Sequence, residues 1–121
     1  MGDFRKLIVY QKAFDNAMLI FEITKSFPDI ERYSLTTQIR NSSRSVCSNI
    51  AEGYRKRQYR KHFLSKTTDA DMENSETLVW LDFSLSCKYI VESQHYELVA
   101  RLKETGRLLN HMLNNPGKYL D

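Results

Sequence analysis

The chain is poor in the residues that break helices. Of 121 residues, only four are glycine and two are proline. That scarcity excludes the many short strands and frequent turns of a sandwich or barrel, and it favours long helices. Cysteine is also scarce. Cys47 and Cys87 are the only two, and neither has a second Cys or a His at metal-ligand spacing. This excludes a disulfide framework and a zinc ribbon. The expectation is two small buried residues inside helices, in a reducing compartment. No apolar run is long enough for a signal peptide or a membrane span, so the expected setting is cytoplasmic, with no membrane partner. There is no glycine-rich phosphate loop and no Ser–His–Asp ordering. The two Glu-x-x-His motifs of a di-iron bundle are missing as well. No catalytic residue, metal ligand or cofactor site is therefore expected, and the chain reads as a non-enzyme.

What remains is a single domain spanning residues 1–121, with 27% charged and 41% hydrophobic residues, an ordinary soluble balance. Helix 1 is expected from Leu7 or Ile8 to Ser26, and Phe27-Pro28-Asp29 ends it. Helix 2 is expected from Glu31 or Ser34 to Glu52. Helix 3 is expected from Arg57 or Gln58 to about Val91. Helix 4 is expected from Gln94 to Asn114, with Leu98, Leu102, Thr105, Leu109 and Met112 at alternating spacings of four and three. Short connections between four helices predict an all-α, antiparallel up-down-up-down four-helix bundle. Helix 1 carries apolar residues on more than one stripe, Phe14, Met18 and Phe21 among them. The surplus predicts a second buried surface, provided by another subunit; the alternative is a broad core face with one or two apolar residues left exposed.

The chain is organised around residues 38–61. Ile39, Val46 and Ile50 form a helical stripe with small Ser42, Ser43, Cys47 and Ala51 on the same side, which suits close helix packing. Gly53 is expected to end the helix in the left-handed conformation. A dense basic cluster follows, Arg55, Lys56, Arg57, Arg60 and Lys61, interleaved with Tyr54 and Tyr59. Closely spaced Lys and Arg neutralise phosphates, and tyrosines stack on unpaired bases. Arg40 and Arg44, one turn apart, extend this candidate nucleic-acid site along helix 2. From Gln38 to Lys66 there are eight basic residues and one acid, and from Thr67 to Glu97 seven acids and one base. The blocks attract polyanions or pair with each other within or between subunits. Glu52, Glu76 and Asp82 lie on or near core stripes, where Arg40 or Arg44 or a backbone cap is the expected partner of Glu52 and Glu76. Asn49 is expected to hydrogen-bond across the bundle.

Three further strings carry a resemblance. Ser48 to Gly53 reads SNIAEG, preceded by QIR at Gln38 to Arg40 and by Phe27, Pro28 and Glu31. The opening segment from Asp3 to Ala13 and the segment Glu76, Thr77, Trp80 to Phe83, Tyr89 and Ile90 follow in order. Together they resemble the 23S rRNA intervening-sequence protein family, also called the four helix bundle protein family. The resemblance implies the same bundle and a ring-like homo-oligomer, a pentamer. It also implies kinship with an accessory protein of diversity-generating retroelements, a basic pentameric barrel that binds nucleic acid and a reverse transcriptase. The expected function is thus a non-enzymatic oligomeric protein binding RNA or DNA through a basic surface. The alternative is a protein-interaction scaffold that binds no nucleic acid.

Overall fold

A computed structural model of the chain describes residues 2–120. Among them, four α-helices follow one another: α1 (Ile8–Thr24), α2 (Leu35–Arg55), α3 (Arg60–Ser86) and α4 (Glu92–Asn114). Single 3-10 turns lie at Phe4–Lys6, Asp29–Glu31 and Pro116–Lys118. Each helix packs on the next, and α1 closes against α4. The arrangement is the expected up-down-up-down bundle. It places the start of α1, the end of α2, the start of α3 and the end of α4 at one end of the molecule.

The core is in two parts. Val9, Ala13, Val46, Ile50, Phe63 and Leu109 belong to a cluster nearer that end. Ile20, Ile39, Leu81, Ile90, Leu98 and Leu102 form the other. A buried polar layer separates them. Asn16 Nδ2 donates to Thr105 Oγ1 at 3.1 Å, and Asn74 Nδ2 donates to the Leu102 carbonyl at 2.8 Å. The Ser42 and Thr77 hydroxyls share a bond of 2.8 Å. These pairs tie α1 to α4, α3 to α4 and α2 to α3. Sliding any helix by one turn would leave buried donors unpaired, at about 1–3 kcal/mol each, so the layer selects one register.

Several helix ends differ from expectation. Helix α2 runs through Gly53 to Arg55, and no described glycine has a positive φ. Gly53 has a different use. A Cβ there would lie 3.1 Å from Lys66 Cβ, so the missing side chain lets α3 approach α2 closely. Helix α3 begins at Arg60 and stops at Ser86, short of Val91. Lys88 takes φ 63° there, and Tyr89 N–H reaches back to the Ser84 carbonyl at 3.0 Å. That is a Schellman ending with lysine where glycine is usual. The polar middle of α3 is helical, because Thr67, Ala70 and Asn74 turn inward.

The cysteines divide rather than sharing a buried setting. Cys47 is buried, and burial pushes its thiol up to about 11, while a backbone hydrogen bond acts weakly the other way. Cys87 lies just past the end of α3 and is exposed. A thiol reagent at pH 8 should therefore label Cys87 at least about 100-fold faster than Cys47, since the thiolate is the reactive form. Peptide mapping after brief labelling checks this. Equal labelling of both would mean that the α1–α2 packing around Cys47 opens readily.

Candidate nucleic-acid interface

The basic cluster forms the corner between α2 and α3, at the shared end of the bundle. Arg55, Lys56, Arg60 and Lys61 are exposed there, and so is Tyr59. Lys56 Nζ lies over the Tyr59 ring, 5.7 Å from its centre. Arg57 is different. It is only 4% exposed, its Nη1 donates to the Tyr54 carbonyl at 2.9 Å, and its guanidinium sits 4.1 Å over the Tyr54 ring. Tyr54 is half-buried, with Gly2 against its hydroxyl. The expected site therefore loses Arg57 from its surface and keeps Tyr54 only in part, with one ring face covered by that guanidinium. They build the corner that carries the others, and Tyr59 is the aromatic more available for stacking.

Arg40 and Arg44 do not join this surface. Arg40 is half-buried. Its Nε donates to Thr24 Oγ1 at 2.7 Å and its Nη2 to the Phe21 carbonyl at 3.5 Å. It caps the end of α1, where a cation also suits the helix dipole. Arg44 is exposed, but it lies eleven residues before Arg55, about 16 Å along the helix. It edges an apolar groove of about 340 Å³ between α1 and α2.

Topology adds cations that the linear cluster does not show. The 3-10 turn before α1 packs on α2 and brings exposed Arg5 and Lys6 to the basic end. The turn after α4 brings exposed Lys118 there as well, since Tyr119 stacks on Phe63 with ring centres 6.3 Å apart. The nearby acids are partly matched: Asp3 pairs with Arg5 at 3.4 Å and Glu52 with Lys66 at 3.0 Å. The signal for Arg5, Lys6 and Lys118 was available only through helix direction, which sends both chain ends to the α2–α3 corner.

The remaining candidates take structural roles. Glu52 is exposed and pairs with Lys66, not with Arg40 or Arg44. Glu76 accepts from Trp80 Nε1 at 3.2 Å on its own helix. Asp82 is exposed, and His95 Nε2 meets it at 2.8 Å. Glu92 stands three residues before His95, yet no group of three or more potential metal-ligand side chains occurs among the described residues. Asn49 donates to the Ser45 carbonyl at 3.0 Å within α2 instead of crossing the bundle. No helix among the described residues is long and apolar enough to cross a membrane.

Residues 5–111 match the family model described as 23S rRNA-intervening sequence protein. No curated protein matches the chain. Among solved structures, it is similar to a protein of unknown function from the S23 ribosomal protein family of Bacteroides thetaiotaomicron. The two are 26% identical with a TM-score of 0.80, over 88% of this chain and 96% of the other.

Proposed function

The chain belongs to the 23S rRNA-intervening sequence protein family, and we propose that it is a non-enzymatic, oligomeric module that binds RNA or other nucleic acid at the basic end of its bundle. One observation carries this reading. Arg55, Lys56, Arg60 and Lys61 from the α2–α3 corner stand exposed with Arg5, Lys6 and Lys118 from the two chain ends. Gathering so many cations at one end raises their mutual repulsion, and a polyanion relieves it by releasing its own counterions as they pair. Exposed Tyr59 supplies a face for an unpaired base. Contacts of this kind go to phosphates, so the expected preference is for shape and single-stranded loops over sequence.

The second reading, a protein scaffold without nucleic acid, is favoured by exposed apolar residues on α1 and α3. The two readings separate in one titration. Purified protein is added to labelled structured RNA and to duplex DNA at about 50 mM and about 200 mM salt. The nucleic-acid reading expects binding that weakens by at least about tenfold over that range. Absence of binding to either probe at the lower salt overturns it and leaves the scaffold.

A further inference from the structure

At the end of the bundle opposite the basic cluster, a cleft of about 340 Å³ lies between the start of α2 and the end of α3. Its two walls differ in chemistry. One comes from the chain entering α2, where Glu31, Ser34 and Gln38 follow at spacings of three and four with buried Leu35 among them. The other comes from the last turns of α3, where Trp80 and Phe83 stand side by side with ring centres 5.9 Å apart. A polar wall with one carboxylate thus faces an aromatic wall.

We propose that this cleft binds a small amphiphilic amine, with its ammonium group on Glu31 and its apolar body against Trp80 and Phe83. The site goes beyond the nucleic-acid reading and shares no residue with the basic end.

The carboxylate is set up for a cation. Glu31 is half-buried and is held from both sides. Its Oε1 accepts from the Leu35 N–H at 3.3 Å, and its Oε2 accepts from the Tyr89 hydroxyl at 2.8 Å. Tyr89 is itself aimed there. It follows Lys88, whose φ of 63° turns the chain back, and its ring packs on Phe27 with centres 5.3 Å apart. The bond to Glu31 first, then burial, push the Tyr89 hydroxyl up to about 12, so it stays the donor of that bond. A carboxylate offers about four acceptor sites, and two of them stay open here. Among the described residues, no lysine, arginine or histidine pairs with Glu31. A fixed, half-buried anion with no cation beside it is the complement of an ammonium ion.

The aromatic wall adds a second hold. Phe83 is 54% exposed, and Trp80 is fixed by its Nε1–H, which donates to Glu76 Oε1 at 3.2 Å. Ring faces attract a cation and also cover an apolar stem. Ser34 makes no side-chain cap to α2, so its hydroxyl and the exposed Gln38 amide oxygen give two further acceptors. A primary ammonium carries three donors, and Glu31, Ser34 and Gln38 match them. The positive end of the α2 dipole opposes a cation, but with about half a charge against the full charge of Glu31. Ligand clefts start at about 300 Å³, so the volume suits a small molecule.

Trp80 is the only tryptophan in the chain, so its emission reads this cleft alone. Hexylamine, protonated at pH 7, is titrated into the protein without nucleic acid, with 1-hexanol as its neutral counterpart. The expected result is a saturable change in emission with a Kd below about 1 mM for hexylamine. Hexanol should bind at least about tenfold more weakly. Glu31→Gln keeps acceptors for Leu35 and Tyr89 but removes the charge. Circular dichroism should show it folded, with hexylamine affinity at least about tenfold lower and hexanol affinity unchanged. Phe83→Ala, at an exposed position, should lower hexylamine affinity by about threefold to thirtyfold.

No saturable change up to about 10 mM hexylamine overturns the proposal. So does equal binding of amine and alcohol, which would make the cleft an unselective apolar surface. Wild-type hexylamine affinity in folded Glu31→Gln, or in Phe83→Ala if Glu31→Gln fails to fold, overturns it as well. A blocked lysine amide separates the two sources of an ammonium group. It should bind at least about tenfold more weakly than hexylamine, because its amides replace apolar carbon. Equal or tighter binding would assign the cleft to a lysine of a partner chain and overturn a free amine as its occupant. None of these results depends on whether the basic end binds RNA.

Discussion

Replacing Phe63 with Ala lowers the stability of the bundle by about 3–5 kcal/mol. Phe63 is fully buried at the first turn of α3 and belongs to the cluster that joins α1, α2 and α4 beneath the basic end. Its ring stacks with Tyr119, which holds the chain end after α4. Truncation leaves a cavity that the surrounding close-packed helices fill only in part. Urea unfolding followed by circular dichroism reads the change as a lowered midpoint at unchanged slope. A loss under about 1 kcal/mol would mean that the α2–α3 corner is loosely packed.

Arg57→Ala is the second large effect, and it separates two uses of arginine in one short run. The guanidinium is buried, donates to the Tyr54 carbonyl and covers the Tyr54 ring. Removing it takes away that packing and the charge-assisted bond at the end of α2. The expected loss is about 2–3 kcal/mol. Arg55→Ala, two residues away and exposed, should change stability by no more than about 0.5 kcal/mol. The same pair should behave in the opposite order in binding: Arg55→Ala weakens RNA affinity, while folded Arg57→Ala retains it within about twofold. Equal stability of the two variants would show that Arg57 is a surface residue after all.

The fold was readable in the sequence because the bundle stripes are long and uninterrupted. Leu98, Leu102, Thr105, Leu109 and Met112 mark α4 without ambiguity, and all five are buried. The ends of the helices were harder to read. Gly53 has two possible uses, a left-handed ending or a close approach, and only the position of Lys66 decides between them. Lys88 ends α3 in a conformation that lysine adopts seldom, so nothing in its identity announced the stop. The candidate site was legible as a cluster but not as a surface. Spacing alone does not reveal that Arg57 turns inward over Tyr54, or that Arg40 turns to the end of α1. Nor does it show that Arg5 and Lys118, more than a hundred residues apart in sequence, share an end of the bundle.

The central claim is that the exposed cations of the α2–α3 corner bind nucleic acid. Its most direct test compares wild type with the variant carrying Arg55→Ser, Lys56→Ser, Arg60→Ser and Lys61→Ser in titrations of one labelled structured RNA over a range of salt, at matched molar mass. The account predicts that the variant keeps its fold and assembly, binds about 100-fold more weakly near 0.1 M salt, and shows a log–log salt slope shallower by about four. Wild-type affinity and slope in a folded, assembled variant would contradict it and make the cluster a solvated face of the bundle.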